Sequence, residues 1–192
     1  MKKIILASSS PRRLEILRQM GLYFEVKVKE VDETIPAGMP PHQAVCELAL
    51  RKARGIAQME PGAVVIGADT IVVHGTRILG KPLDKEDAAA TLRSLSGSDH
   101  LVITGFCVIE AATGKVVQAN ETTRVFFRRL TDAEISAYVE SSEPMGKAGS
   151  YAIQGLGAVL VEKIDGCYFN VVGLPVSRLT EVLKDFGVQV LG

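Results

Sequence analysis

Apolar and polar positions alternate along this chain in two rhythms, one of period two and one close to 3.6, and together they lay out an ordered set of elements. Lys3–Ser8 (K-I-I-L-A-S) reads as a short buried strand. Leu14, Leu17 and Met20 then form a helical stripe. Ser10-Pro11 precedes it as N-cap and first helical residue, and Gly21 stops it. Phe24, Val26 and Val28 alternate with Glu25, Lys27 and Lys29, which predicts a second strand. A Pro- and Gly-rich loop covers 32–41, and an amphipathic helix over 42–58 gathers Val45, Leu48, Ala49, Ala53 and Ile56 on one side. Residues 63–73 are β-branched and apolar around Gly67-Ala68-Asp69-Thr70, the pattern of a central strand buried on both faces.

The second half continues with a turn at His74-Gly75-Thr76. A helix over 85–95 follows, with Asp84 and Asp87 at its start and Gly97 after it. Two long strands, 100–111 and 115–128, flank Thr113-Gly114 as a hairpin. Thr131-Asp-Ala-Glu134 is a capping box opening a helix to about residue 141. Residues 142–155 read as a Gly-rich loop, 158–164 as a strand and 175–186 as a last helix ended by Gly187. Strands and helices mix without strict alternation, and the hairpin implies a mixed rather than all-parallel sheet in an α/β protein.

Composition narrows the function classes. The 192 residues suit one domain and are enough to build a core without staples. Lys plus Arg and Asp plus Glu are equal at 22 each, which argues against bulk nucleic-acid or membrane-surface binding. The basic run Lys2, Lys3, Arg12, Arg13 contains no acid through residue 13. The four-residue apolar stretch Ile4–Ala7 is too short for a secretory core, and no run reaches the roughly 18 residues of a membrane span, so a cytoplasmic protein is expected. Cys46, Cys107 and Cys167 are widely spaced and odd in number, as expected of reduced thiols.

Several apparent motifs fail on inspection. Gly75–Lys81 imitates the start of a P-loop, but Pro82 stands where Ser or Thr would meet magnesium, and the segment reads as the far arm of a turn. His42, His74 and His100 share no metal-ligand spacing, and there is no G-x-S-x-G elbow. Four polar clusters at element ends carry more. Ser8-Ser9-Ser10-Pro11-Arg12-Arg13 brings hydroxyls and guanidiniums to a helix N-terminus, a setting for phosphate or for a plain cap with solvated arginines. Glu30, Asp32 and Glu33 offer carboxylates for magnesium, or simply a solvated acidic loop. Asp69-Thr70 interrupts an apolar strand, and a carboxylate there needs a partner, a metal or a task. Lys147, Ser150, Gln154 and Gly155, followed by Asn170 and Gly173, form a Gly-rich group that lets a ligand approach the backbone. Phosphate donors together with clustered carboxylates suit metal-assisted attack on a phosphoanhydride.

These motifs, in order, resemble those of the Maf family: S-S-S-P-R-R at 8–13, Val31-Asp32-Glu33, Lys52, Gly67-Ala68-Asp69-Thr70 and Gly80-Lys81-Pro82. They continue with Thr104-Gly105, Gly146–Tyr151, Ile153-Gln154-Gly155 and Asn170–Pro175. The resemblance implies a single Maf-like domain over 1–192, with a fold similar to inosine-triphosphate pyrophosphatases: an elongated mixed sheet flanked by helices, with a cleft between two lobes. It implies a nucleoside triphosphate pyrophosphatase, hydrolysing the bond between the α and β phosphates. A divalent cation is implied, magnesium ahead of manganese or cobalt, and by family analogy a homodimer. Asp69 falls at the position of the catalytic base, with Asp69 and Glu33 as metal ligands. Ser8, Arg13, Lys52 and Lys81 fall at phosphate-binding positions. Arg12, Thr70 and Gln154 match the subtype acting on dTTP and UTP rather than on 7-methyl-GTP. The Gln154 amide can both donate to and accept from the O4/N3–H edge of uracil or thymine. The competing reading is a non-catalytic nucleotide-binding regulator of septation, against which Asp69, Glu33 and both lysines argue.

Overall fold

Strand β1, Lys3–Ala7, is buried at every position but its first, so it has no polar face to show to water. In the computed structural model, which describes residues 2–191, it pairs in parallel with β2 (Glu25–Val26) on one side and β3 (Ala63–His74) on the other. A short β4 (Arg77–Leu79) folds back antiparallel on the end of β3. Strands β5 (Asp99–Glu110) and β6 (Lys115–Phe127) are the anticipated hairpin, and β7 (Val161–Asp165) runs antiparallel to β6. The seven strands form one mixed sheet in the order β2-β1-β3-β5-β6-β7, with β4 beside β3, flanked by six α-helices among the described residues.

The predicted strand at 24–28 contracts to two residues. β2 ends the strand order, and Val26 and Val28 stay exposed. Alternation alone does not make a ladder where no core covers one face. The strand expected from 158 begins at Val161, because Gly155–Leu160 winds into a 3-10 turn.

The chain divides into two compact units. The first comprises the segment up to Asp69, Thr104–Glu121 and the chain from Gly173 onward. It holds α1 (Pro11–Gln19), α2 (Pro41–Ala57) and α6 (Val176–Lys184). Its core joins Ile5, Ala7, Val65 and Cys107 of the strands to Ala49, Ala53 and Ile56 of α2. Small residues on that helix let it lie very close to the sheet. A Cβ on Gly67 would stand 2.4 Å from the Ala49 carbonyl, and one on Gly105 would stand 2.6 Å from the Val45 carbonyl. The basic N-terminal run is balanced from elsewhere in this unit, with Lys2 on Glu110 and Lys3 on Glu25 and Glu60.

The second unit, Thr70–Ile103 with Thr122–Val172, holds α3 (Lys85–Leu95), α4 (Asp132–Glu140) and α5 (Tyr168–Val172), the last of which the apolar pattern did not reveal. Asp84 caps α3 by accepting from the Asp87 amide, and Thr131 and Glu134 form the full capping box of α4. Leu92, Leu95, Val125, Phe127, Ile135 and Leu160 fill its core.

Candidate functional site

Asp69 ends the first segment of the first unit, and the tight seat of α2 on Gly67 brings Lys52, the neighbour of Ala53, against it. Lys52 Nζ donates to Asp69 Oδ1 at 2.6 Å and lies 2.8 Å from Glu33 Oε1. The partner that a carboxylate inside an apolar strand requires is therefore an ammonium bridging two acids. The lysine and Asp69 side chains are only 18% and 16% exposed, while Glu33 is 60% exposed. Glu33 stands on the loop before α2. There Asp32 Oδ1 accepts from the Thr34 amide, and Arg51 Nη1 donates to the carbonyls of Asp32 and Thr34. Of the three acids expected to cluster, Asp32 thus shapes the loop, Glu33 joins the lysine, and Glu30 is exposed.

The S-S-S-P-R-R segment departs from expectation in one respect. The Ser10 side chain makes no cap on α1; the working hydroxyl is that of Ser8. Ser8 Oγ accepts from the Ser10 amide and from Arg13 Nη1, both at 3.2 Å. Two acceptor sites filled leave its O–H as the donor, the polarity a phosphate oxygen needs. Arg13 is buried, and its Nε donates to the Gly173 carbonyl at 2.8 Å. Burial holds the guanidinium below its ordinary pKa. The negative charge of Asp69 opposes that shift, Arg12 reinforces it and Glu33 opposes it. Arg13 therefore feels both carboxylates of the lysine bridge. Sequence reasoning did not foresee that Gly173 receives this arginine, nor that Arg51 orders the Glu33 loop; Arg51 was legible only as an i,i+4 partner of Glu47.

Thr70, Lys81 and Gln154 belong to the second unit. Thr70 is half-buried in β3, and Lys81 is exposed after β4. Gln154 precedes the 3-10 turn in extended conformation, half-buried. The P-loop imitation is a hairpin with Gly75 at φ 59°, and no helix follows until Lys85. Of the Gly-rich group, Lys147 Nζ donates to the Glu143 carbonyl. Ser150 lies wholly buried in left-handed backbone, at φ 59°. Asn170 is structural: its buried amide donates to the Val102 carbonyl and Thr123 Oγ1, both at 2.9 Å. His100, set aside as a ligand, is buried against Tyr151 and Phe127, with Nε2 2.7 Å from the Tyr151 hydroxyl. Burial, helped by His74 and opposed by Asp99, pushes its pKa down to about 4, so it is neutral at pH 7. Cys107 is buried, with its thiol pushed up to about 12, an inert group.

A model of the Maf-like protein family matches residues 3–186, and the chain belongs to that family. Relatives similar over the full length include proteins named dTTP/UTP pyrophosphatase. That of Pelotomaculum thermopropionicum is 54% identical over 191 residues, covering 100% of both chains. That of Acetivibrio thermocellus is 50% identical, covering 100% of this chain and 98% of its own. The Bacillus anthracis protein of that name is 51% identical, covering 99% and 98%. Among solved structures, a HAM1 protein from Coxiella burnetii superposes with a TM-score of 0.57 at 14% identity, covering 96% of this chain and 100% of its own. The Staphylococcus aureus Ham1 protein gives 0.51 at 15% identity, covering 83% and 80%. The fold is thus of the Ham1 kind, in keeping with the fold implied by the family motifs.

Proposed function

We propose that this chain hydrolyses dTTP and UTP to the monophosphate and pyrophosphate, acting as one domain over residues 1–192. The observation that carries the chemistry is the Lys52 ammonium held between Asp69 and Glu33, with the buried Arg13 in their field. The pyrimidine substrate is carried by the full-length similarity to proteins named dTTP/UTP pyrophosphatase.

In this reading Ser8, Arg13, Lys52 and Lys81 hold the triphosphate. Ser8 gives its one O–H, and the cations offset phosphate charge. Asp69 orients a water and takes its proton as the water oxygen bonds to the α phosphorus. The bond from that phosphorus to the bridging oxygen breaks, and pyrophosphate leaves with the electron pair. Lys52 holds the Asp69 carboxylate in place until substrate arrives. Arg12, Thr70 and Gln154 read the base, the Gln154 amide pairing with O4 and N3–H.

The donors suit a hard cation such as magnesium. Two carboxylates, Asp69 and Glu33, already share one cationic group, and among the described residues no group of three or more His, Cys, Asp or Glu could hold a metal. Substrate phosphate and water would complete such a shell around Asp69 and Glu33. When bound, the ion supplies neutralisation of phosphate charge and a more acidic water. Phosphorus NMR of the products tests the cleavage site. dTMP with pyrophosphate is expected, and dTDP with inorganic phosphate would overturn the reading.

A further inference from the structure

Gln154 makes no hydrogen bond of its own to the protein among the described residues, so its direction depends on the backbone beneath it. That backbone is fixed on both sides of Gln154 by a single pair of side chains. Glu143 Oε1 accepts from the Gly157 amide at 2.9 Å, and Oε2 accepts from the Leu156 amide at 3.0 Å. Tyr138 Oη donates to Glu143 Oε1 at 2.9 Å and accepts from the Ala152 amide at 3.2 Å. The chain is therefore tied two residues before Gln154, and two and three residues after it.

The surroundings are shaped for this contact. Gly155 has φ 68°, and a Cβ there would stand 2.7 Å from Glu143 Oε2. A Cβ on Gly157 would stand 2.6 Å from Tyr138 Oη and 2.2 Å from the Ala152 carbonyl. Only glycines admit a carboxylate and a phenol so close to the main chain. Tyr138 is buried on α4, whose first turn is locked by the Thr131–Glu134 box. Burial pushes the Glu143 carboxyl up, but the amides of Gly157 and Leu156, Tyr138 and Lys147 outweigh it and hold its pKa below the ordinary value. The bonds it accepts at neutral pH are thus charge-assisted.

We infer that Glu143, with Tyr138 as its brace, is a positioning residue that sets the base preference through Gln154. This rests on the proposed reading of Gln154 as the base-reading amide. Glu143 touches no substrate in this account; it holds the amide at the angle that meets a uracil or thymine edge.

The test is a double-mutant cycle of Glu143→Gln and Gln154→Ala, read as the ratio of kcat/KM for dTTP over dCTP, with hydrogen exchange of the 152–157 amides. Glu143→Gln places a donor against a donor amide. It is expected to lower the ratio about tenfold, the scale of one charge-assisted bond, and to speed exchange at Leu156 and Gly157. Added to Gln154→Ala it should lower the ratio no further. Tyr138→Phe should shift the ratio the same way by a smaller factor, and it decides the matter if Glu143→Gln fails to fold. Faster exchange with an unchanged ratio, or equal losses on both nucleotides that add fully to those of Gln154→Ala, would overturn the inference. A wild-type enzyme indifferent between dTTP and dCTP, or a Gln154→Ala variant with full preference, would remove the reading of Gln154 and this inference with it. A preference erased by Gln154→Ala but untouched by Glu143→Gln and Tyr138→Phe would remove the inference alone.

Discussion

The two units keep polar groups inside the protein by opposite means. The first sets charge against charge. Lys52 bridges Asp69 and Glu33, and buried Arg13 is held by a carbonyl and a hydroxyl while feeling both carboxylates. The second works largely with neutral partners. His100 is uncharged against Tyr151, Asn170 ties Val102 to Thr123, and one of its half-buried carboxylates, Glu143, is satisfied by two amides and a phenol. Opposite charges in partial burial leave a strong local field that a phosphate or a cation can enter and rearrange. A neutral hydrogen-bonded network creates little field and instead fixes shape. Partly buried ion pairing is thus concentrated around Asp69 in the first unit, while the buried polar groups of the second are held mainly by neutral hydrogen bonds.

That contrast breaks most visibly at Asp69. Asp69→Asn keeps the shape and removes the charge, so turnover should fall about a thousandfold while unfolding stays cooperative. Pyrophosphate release near the wild-type rate would show that the charged bridge is only structural. The next largest effect concerns how that bridge is assembled. Gly67→Ala drives a methyl into the α2 backbone and should cost about 3 kcal/mol in urea unfolding, with loss of activity. A stability within about 0.5 kcal/mol of wild type would mean that α2 can back away without consequence.

The neutral side of the comparison is sharpened by pH. The folded pKa of His100, about 4, lies below its ordinary 6.5, so on acidification the unfolded chain takes up the proton first. Stability from the neutral ring is complete above 6.5 and is lost as the pH falls toward 4. Between pH 7 and 5 the wild type should lose about 2 kcal/mol from this group, and His100→Gln should lose that much less. Parallel pH profiles for the two proteins would show that the ring is not held neutral.

Much of this fold was legible because local rules and the core agreed. The capping box at Thr131, the stripe of α2 and the apolar runs of β1 and β3 each needed only their own residues. The failures lie where distant parts decide. Residues 24–28 had strand alternation but little to pair with or pack on, and residues 158–160, expected to open a strand, instead finish a 3-10 turn beside Glu143. The site divides in the same way. Asp69 announced itself as a carboxylate in an apolar strand, and family motifs pointed to Ser8, Arg13, Glu33 and Lys52. The bond from Arg13 to Gly173 spans 160 positions, and that from Glu143 to Gly157 spans 14 through a Gly-rich loop, so neither leaves a periodic mark.

The proposed hydrolysis is tested most directly by pyrophosphate release from a panel of dTTP, UTP, CTP, dCTP, 7-methyl-GTP, GTP, ITP and ATP, each with magnesium and with a chelator. Turnover that requires the metal and favours dTTP and UTP is expected. Metal-dependent turnover favouring another base would contradict the roles of Arg12, Thr70 and Gln154. Binding of nucleotide with no turnover under any condition would contradict the enzyme itself and leave a sensor.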